Sequence, residues 1–429
     1  MNRRKFINQG LLGSSGIILA EQILGVRQTF AAWLENVVIP VRESNDFSKL
    51  RNEYLLSSNI IYLNHASIGT IPRAVQKVGQ QYLDICETNP WFYIWGGGWE
   101  EGREETRAKA AKLLHCAPGE MVLTHNTTEG FNLLAQGLQL GKGDEVVFSS
   151  LNHPGASVCW FHQAREKGFK VAKFDFPVSD AADMSKQEIL DLYDRHISKK
   201  TRVLVFPHVD NIIGLRHPAK ELTALARSRG VEFVAVDGAQ TAGMIPADMK
   251  EMDVDFYACS PHKWVQAPKG LGLLYIKEDV QQSVKPMWVT WGQERWKGSA
   301  RIFEDYGTRN LPEVLTLGDA IDFQNRLGDR LKQERYEQLW QYTSTRVEQN
   351  EELVWRSPKS WSLASSVYAV EVKGKKSSEL ARRLFEGQGI VVRPFSTEGL
   401  NTLRISPNLF NTEAEIDKLC EVLLTAAKS

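Results

Sequence analysis

An α/β fold with a mostly parallel sheet, followed by a smaller C-terminal α+β domain, is what this sequence predicts. Three observations carry that reading. Short apolar runs of strand length recur, among them Met121-Val122-Leu123, Glu145-Val146-Val147-Phe148, Val203-Leu204-Val205-Phe206 and Phe233-Val234-Ala235-Val236. Continuous apolar runs of this kind suit strands covered on both faces. Stretches 154–168, 186–198 and 218–229 carry helical periodicity between them, which is the alternation of a parallel sheet with right-handed crossovers. After about residue 310 the pattern changes to a long helical stretch, strand-like Ser366–Val372, a helix near 376–387, strands near Gly389–Val392 and Thr402–Ile405, and a last helix. The length of 429 residues accommodates two domains and a large core.

At the amino end, Asn2-Arg3-Arg4-Lys5-Phe6-Ile7 reads as a twin-arginine export motif. The apolar run Gly10–Ala20 follows it, rich in glycine and serine, and too short and weakly apolar for a permanent span. Small residues around Thr29 and Ala31-Ala32 offer a cleavage site. Residues 1–32 are therefore expected to be a signal peptide read by the twin-arginine translocase. A periplasmic destination and no stable membrane insertion follow from that expectation. Residues 33–58 read as a connecting arm, 59–309 as the large domain and 310–429 as the small one.

Composition narrows the partners. Acidic and basic residues balance at 52 each, so nothing points to nucleic acid or an anionic surface. The five cysteines, Cys86, Cys116, Cys159, Cys259 and Cys420, contain no Cys-x-x-Cys pair. A structural zinc site is not expected, no metal ligand set is assigned, and the odd count leaves at least one thiol unpaired.

The chemistry concentrates in two short segments, Asp237-Gly238-Ala239-Gln240 and Ser260-Pro261-His262-Lys263. A lysine that carries a cofactor as a Schiff base needs neighbours that manage its proton. Pyridoxal 5'-phosphate (PLP) also needs an acid opposite its pyridinium nitrogen, because the protonated ring is the electron sink. The spacing lets Asp237 end one strand and Lys263 end the next. Alone, Asp-Gly is an ordinary turn signal and a lysine an ordinary surface residue; it is the conjunction that points to a site.

Other segments join it. Thr127-Thr128-Glu129-Gly130 follows a strand and opens a helix, where hydroxyls and free N–H groups suit a phosphate. Ser260 and His262 are placed to reach the same phosphate. His153, in Asn152-His153-Pro154-Gly155, follows a strand end, as does Asn211 in Val209-Asp210-Asn211-Ile212-Ile213-Gly214. Open α/β sheets bind ligands at that edge, and an imidazole there is suited to stack on a pyridine ring and move protons.

With these motifs in place, the chain resembles the class V, fold-type I PLP-dependent enzymes, from about Tyr62 to Leu424. Tyr62-Leu63-Asn64-His65-Ala66-Ser67-Ile68-Gly69 and Asn126–Gly130 are most similar to the isopenicillin N epimerase-like branch. The twin-arginine start invites comparison with exported, pyoverdine-tailoring members. The resemblance implies a cofactor-bearing Lys263, a pyridinium partner in Asp237 and a donor to the phenolic oxygen in Gln240. Asn211 would bind near that oxygen or the substrate carboxylate. It implies substrate contacts at Asn64 and His65, and Arg404, in Leu403-Arg404-Ile405-Ser406, as the clamp on a substrate α-carboxylate. Thr308, in Tyr306-Gly307-Thr308-Arg309-Asn310, resembles the segment that reaches the phosphate of a partner subunit, so a homodimer is implied.

The expected substrate is an amino acid, free or within a peptidic molecule such as a siderophore. Expected outcomes at the α-carbon are transamination or epimerisation, with a lyase or hydrolase as the nearer alternative and a non-catalytic binding protein as the remote one. Cysteine desulfurases need a nucleophilic cysteine ahead of the carboxylate-binding arginine, and no cysteine lies between Cys259 and Cys420. Two tryptophan-rich clusters, Pro90–Trp99 and Trp288/Trp291/Trp296, are expected either to pack a core or subunit interface or to form an aromatic mouth for a bulky substrate.

Overall fold

The computed structural model describes residues 14–397 and 399–428. The twin-arginine motif lies outside the described residues. Strand β1 (Ile61–Tyr62) precedes the strands of the main sheet: β2 (Met121–Thr124), β3 (Glu145–Ser149), β4 (Lys170–Phe174), β5 (Thr201–Pro207), β6 (Phe233–Asp237), β7 (Phe256–Cys259) and β8 (Gly272–Ile276). They form one seven-stranded sheet in the order β2-β8-β7-β6-β5-β3-β4. Only β8 runs against its neighbours. The α/β class with a mostly parallel sheet is thus what the chain adopts.

The continuous apolar runs have a physical reason. Every residue of β6 is buried, and helices cover both faces of the sheet. Burying each Val or Phe there stabilises by roughly 1.5–3 kcal/mol. Six of the seven strands end at the same edge, so their carboxyl ends present one row of loops.

The second unit is a four-stranded antiparallel sheet, β12-β13-β10-β9, formed by β9 (Leu353–Trp355), β10 (Tyr368–Val372), β12 (Arg393–Thr397) and β13 (Leu400–Ile405). Strand β11 (Ile390–Val391) pairs in parallel with β1, and Asn64 bridges to Ser406. Residues 61–64 are thereby tied to the C-terminal unit. The helix Leu311–Leu327 packs on the helices Arg73–Thr88 and Glu100–Leu113 of the large unit. That helix ends at Gly328, whose φ of 84° takes the chain out of helical geometry.

The amino-terminal segment differs most from a connecting arm. An α-helix spans Ser14–Trp33, continues through a π-turn at Leu34–Val38 and a helix at Ile39–Ser44, and is followed by a 3-10 segment at Phe47–Glu53. Val26, Phe30, Val38 and Val41 are buried in the main core. The Trp33 ring lies 5.3 Å from that of Phe323, and Arg27 pairs with Glu105 at 2.7 Å. The apolar positions 26, 30, 34, 37, 38 and 41 follow a helical period. A cut at Thr29–Ala32 would sever this packed helix. No helix among the described residues is long and apolar enough to cross a membrane.

Candidate active site

A cavity of about 440 Å³ opens at the carboxyl edge of the large sheet, closed on one side by β12 and β13. Ten of the sequence-predicted residues line it: Thr127, Thr128, His153, Asn211, Asp237, Gln240, Ser260, His262, Lys263 and Arg404. They arrive from five different strand ends and from β13, which is why no single stretch of sequence contains the site.

Asp237 is the last residue of β6 and is buried at 4% exposure. Its carboxylate accepts a hydrogen bond from the Ala239 N–H at 2.9 Å. Burial raises its pKa, against the opposing pull of His153, the Ala239 N–H and Lys263. Lys263 follows β7 in a turn closed by its own N–H donating to the Ser260 carbonyl at 3.1 Å. Burial lowers the amine to about 8, Asp237 opposes that shift, and Arg404 adds to it. An amine poised near neutrality is what nucleophilic attack and proton transfer require.

Gln240 is fixed on both sides. Its amide donates to the Ala66 carbonyl at 2.8 Å, and its oxygen accepts from the Trp264 indole at 2.9 Å. One amide proton stays free to face the cavity. Gly69 lies directly beneath Lys263: a Cβ there would meet the Lys263 carbonyl at 2.0 Å.

The anion seat is built from two helix starts. The helix Thr127–Gly137 is capped by Asn126, whose side chain accepts from the Glu129 N–H at 2.9 Å. The Thr127 and Ser260 hydroxyls are 2.8 Å apart. The helix Pro154–Lys167 is capped by His153, whose Nδ1 accepts from the Gly155 N–H at 3.0 Å. A Cβ on Gly155 would approach the Thr128 hydroxyl to 2.5 Å, so only glycine lets the two helix starts converge. Two positive dipole ends and two hydroxyls suit a phosphate. His262 is held neutral, pushed down to about 4 by burial and then by Lys263. His153 reaches the cavity mouth, where desolvation lowers its pKa against the attraction of Asp237. Phosphate seat, buried acid and depressed lysine together fit PLP.

The guanidinium of Arg404 is preorganised. Arg404 is buried at 2% exposure and donates to the Asn211 carbonyl and to Asn64 Oδ1, each at 2.9 Å, and to the Ser67 hydroxyl. The Asn211 carbonyl is presented by a tight loop in which Asp210 accepts from the N–H groups of Ile212, Ile213 and Leu215.

Three expected residues lie elsewhere. Asn64 does not line the cavity; it holds Arg404 from behind. His65 is fully buried, both ring nitrogens lack a partner, and its ring packs against Tyr62, Phe410 and Trp264. Burial pushes it down to about 3, so it is a neutral core residue rather than a substrate contact. Thr308 is exposed and outside the cavity of its own chain. Sequence reasoning missed Ser67, Asn126, Arg393 and Phe395, which also line the cavity. The Arg393-Pro394 dipeptide hid its strand: β12 is a sheet edge, where a proline such as Pro394 is tolerated.

The two tryptophan clusters meet each other instead of the active site. Trp95 and Trp296 line a separate cavity with Gly307 and Arg309, and the Arg301 guanidinium lies 3.2 Å above the Trp296 ring. Tyr93 and Trp99 are core residues, while Trp91, Trp95 and Trp291 are exposed at 59%, 55% and 80%.

Comparison with known proteins agrees with this geometry. The family model described as aminotransferase class-V matches residues 61–419. The chain is 29% identical to the isopenicillin N epimerase of Streptomyces clavuligerus over 403 residues, which is 88% of this chain and 98% of the relative. It is 28% identical to a probable cysteine desulfurase of Halobacterium salinarum, over 87% of this chain and 93% of that one. Among solved structures, the cysteine desulfurase CsdA of Escherichia coli superposes with a TM-score of 0.77 at 26% identity, covering 89% of this chain and 98% of the other. With the matched segment running through the whole cavity, the chain belongs to the class-V aminotransferase family and is a fold-type I, PLP-dependent enzyme.

Proposed function

We propose that the enzyme acts at the α-carbon of an amino acid, or of an aminoacyl group in a secondary metabolite, as an epimerase or aminotransferase. The observation that carries this is the shared cavity of Lys263, Asp237 and Arg404. Bound PLP supplies an electron sink that acidifies the bonds at the α-carbon. Arg404 holds the α-carboxylate and fixes which bond is presented. Lys263, its amine lowered to about 8, moves the α-proton. Asp237 keeps a proton on the pyridine nitrogen through charge attraction. Epimerase relatives spanning nearly the whole chain support the epimerase outcome.

A persulfide mechanism is disfavoured despite the desulfurase relatives. The segment from Arg393 to Arg404 holds no cysteine. Burial raises every thiol, Cys116 and Cys159 to about 12 and Cys420 to about 11. Incubating the PLP-loaded enzyme with an L-amino acid in deuterium oxide separates the outcomes. A deuterated racemate indicates epimerisation, a keto acid with an aminated cofactor indicates transamination, and carbon–carbon cleavage indicates a lyase. An amino acid recovered without deuterium and without product would refute the α-proton chemistry.

We further propose a homodimer. The exposed Trp95 lines a cavity together with Gly307 and Arg309, and large exposed aromatic side chains such as Trp91, Trp95 and Trp291 favour a subunit interface. In that dimer Thr308 faces the partner's phosphate seat. Export through the twin-arginine route to the periplasm, loaded with PLP, and a role in tailoring a siderophore such as pyoverdine, complete the reading. The Arg3-Arg4 motif supports export. Cell fractionation of a tagged full-length chain, with Arg3-Arg4→Lys-Lys alongside, tests that part: periplasmic recovery lost in the variant is expected, and cytoplasmic recovery of the wild type contradicts it.

A further inference from the structure

Arg393 and Arg404 sit directly opposite each other in the antiparallel β12–β13 pair. Opposed residues leave the same face of a sheet, and like charges in that arrangement repel. Both side chains line the active-site cavity. Both also share one aromatic ring: the guanidinium carbons of Arg404 and Arg393 lie 5.4 and 5.9 Å from the centroid of Phe395. Residue 395 is two places along from 393 and points the same way.

The two arginines are not equivalent. Arg404 is buried and spends three hydrogen bonds on Asn211, Asn64 and Ser67. Arg393 is exposed at the rim, and among the described residues no hydrogen bond or ion pair holds its guanidinium. The acidic groups nearby are already committed. Asp237 faces Lys263 and His153 at the floor, and Asp210 is surrounded by backbone N–H groups. Arg404 alone supplies the donors an α-carboxylate needs, so the Arg393 fork is available to a second anion.

We infer that Arg393 is a second anion seat, and that the substrate carries a further carboxylate beyond the one beside its reacting carbon. This rests on the α-carbon reading above and narrows it to an amino acid, or aminoacyl group, with an acidic side-chain terminus. The guanidinium fork fits a carboxylate in two-point contact, and the Phe395 ring gives the intervening methylene groups an apolar surface.

The test uses the PLP-loaded full-length enzyme and its visible spectrum. L-Glutamate and L-2-aminoadipate are titrated beside their uncharged counterparts, L-glutamine and L-norleucine. The quantity read is the ratio of dissociation constants, uncharged over acidic. In the wild type the ratio is expected to exceed tenfold. In Arg393→Gln it is expected to fall to within twofold of unity, and in Arg393→Glu to drop below unity. Arg393 is exposed on an edge strand, so both variants are expected to fold, which far-UV circular dichroism checks. A wild-type ratio near unity overturns the inference. So does a ratio that stays high in Arg393→Gln, since Arg393 would then serve only the α-carboxylate. If no amino acid perturbs the spectrum, the α-carbon reading itself fails, an outcome distinct from a perturbed spectrum with a flat ratio.

Discussion

The floor and the rim of the active-site cavity are built in different ways. The floor, Asp237, Gln240, Ser260 and Lys263, comes from neighbouring strand ends of one sheet, and hydrogen bonds fix the side chains of Asp237, Gln240 and Ser260 around the lysine. The rim comes from distant pieces: Ser67 from the amino-terminal side, Asn211 from the loop after β5, and Arg393, Phe395 and Arg404 from the small sheet. In the proposed reading the floor carries chemistry common to many amino acids, and the rim determines which amino acid is admitted. Disturbing the floor should therefore destroy catalysis for every substrate, and disturbing the rim should change affinity and preference.

The largest effect is expected at the floor. Lys263→Ala should abolish the visible absorbance of the bound cofactor and lower turnover by about 10³-fold or more, with the fold retained, as checked by circular dichroism. Asp237→Asn comes next. Removing the charge opposite the pyridine nitrogen should lower kcat by roughly 10²-fold while the cofactor still binds. An unchanged kcat would show that the floor is less specialised than the comparison claims. At the rim, Arg404→Gln should raise KM by about ten- to a hundredfold, the loss of a charge-assisted pair worth roughly 1.5–3 kcal/mol, with a smaller change in kcat.

Two smaller effects sharpen the contrast. The depressed amine of Lys263 sets a pH dependence for cofactor uptake. Below about pH 8 the amine is protonated and cannot attack, so the loading rate of the apoenzyme should rise with pH and level off above that value. Stopped-flow absorbance measures it; a rate that falls as pH rises from 6 to 8 would contradict the assignment. Away from the site, Phe30→Ala should cost about 3 kcal/mol of stability in denaturant melts without altering kcat, because Phe30 is a core residue at 4% exposure.

Floor and rim also differ in how much the sequence disclosed. The floor was legible because each strand end is marked by a continuous apolar run and its chemistry follows within a few residues, as in Phe233–Gln240. The rim was legible only at Asn211 and Arg404. Arg393 sits in an edge strand broken by Pro394, so neither periodicity nor β-propensity marks it. His65 was misread for the opposite reason: a histidine in a motif next to Asn64 draws a functional reading, while its burial against Phe410 depends on contacts 345 residues apart in sequence. The amino-terminal helix was hidden by the small residues between its apolar positions, which resemble the tail of a signal peptide. The convergence of the two tryptophan clusters was likewise beyond any local pattern, because it rests on tertiary placement of segments near 95 and 296.

The central claim is that Lys263 carries the cofactor at the floor of this cavity. The most direct measurement is to load the enzyme with PLP, reduce it with borohydride, digest it and map the modified peptide by mass spectrometry. The account predicts the pyridoxyl adduct on Lys263, in the peptide containing Ser260-Pro261-His262-Lys263, and its disappearance when the enzyme is first saturated with an amino-acid substrate. An adduct on any other lysine, or none, would contradict it.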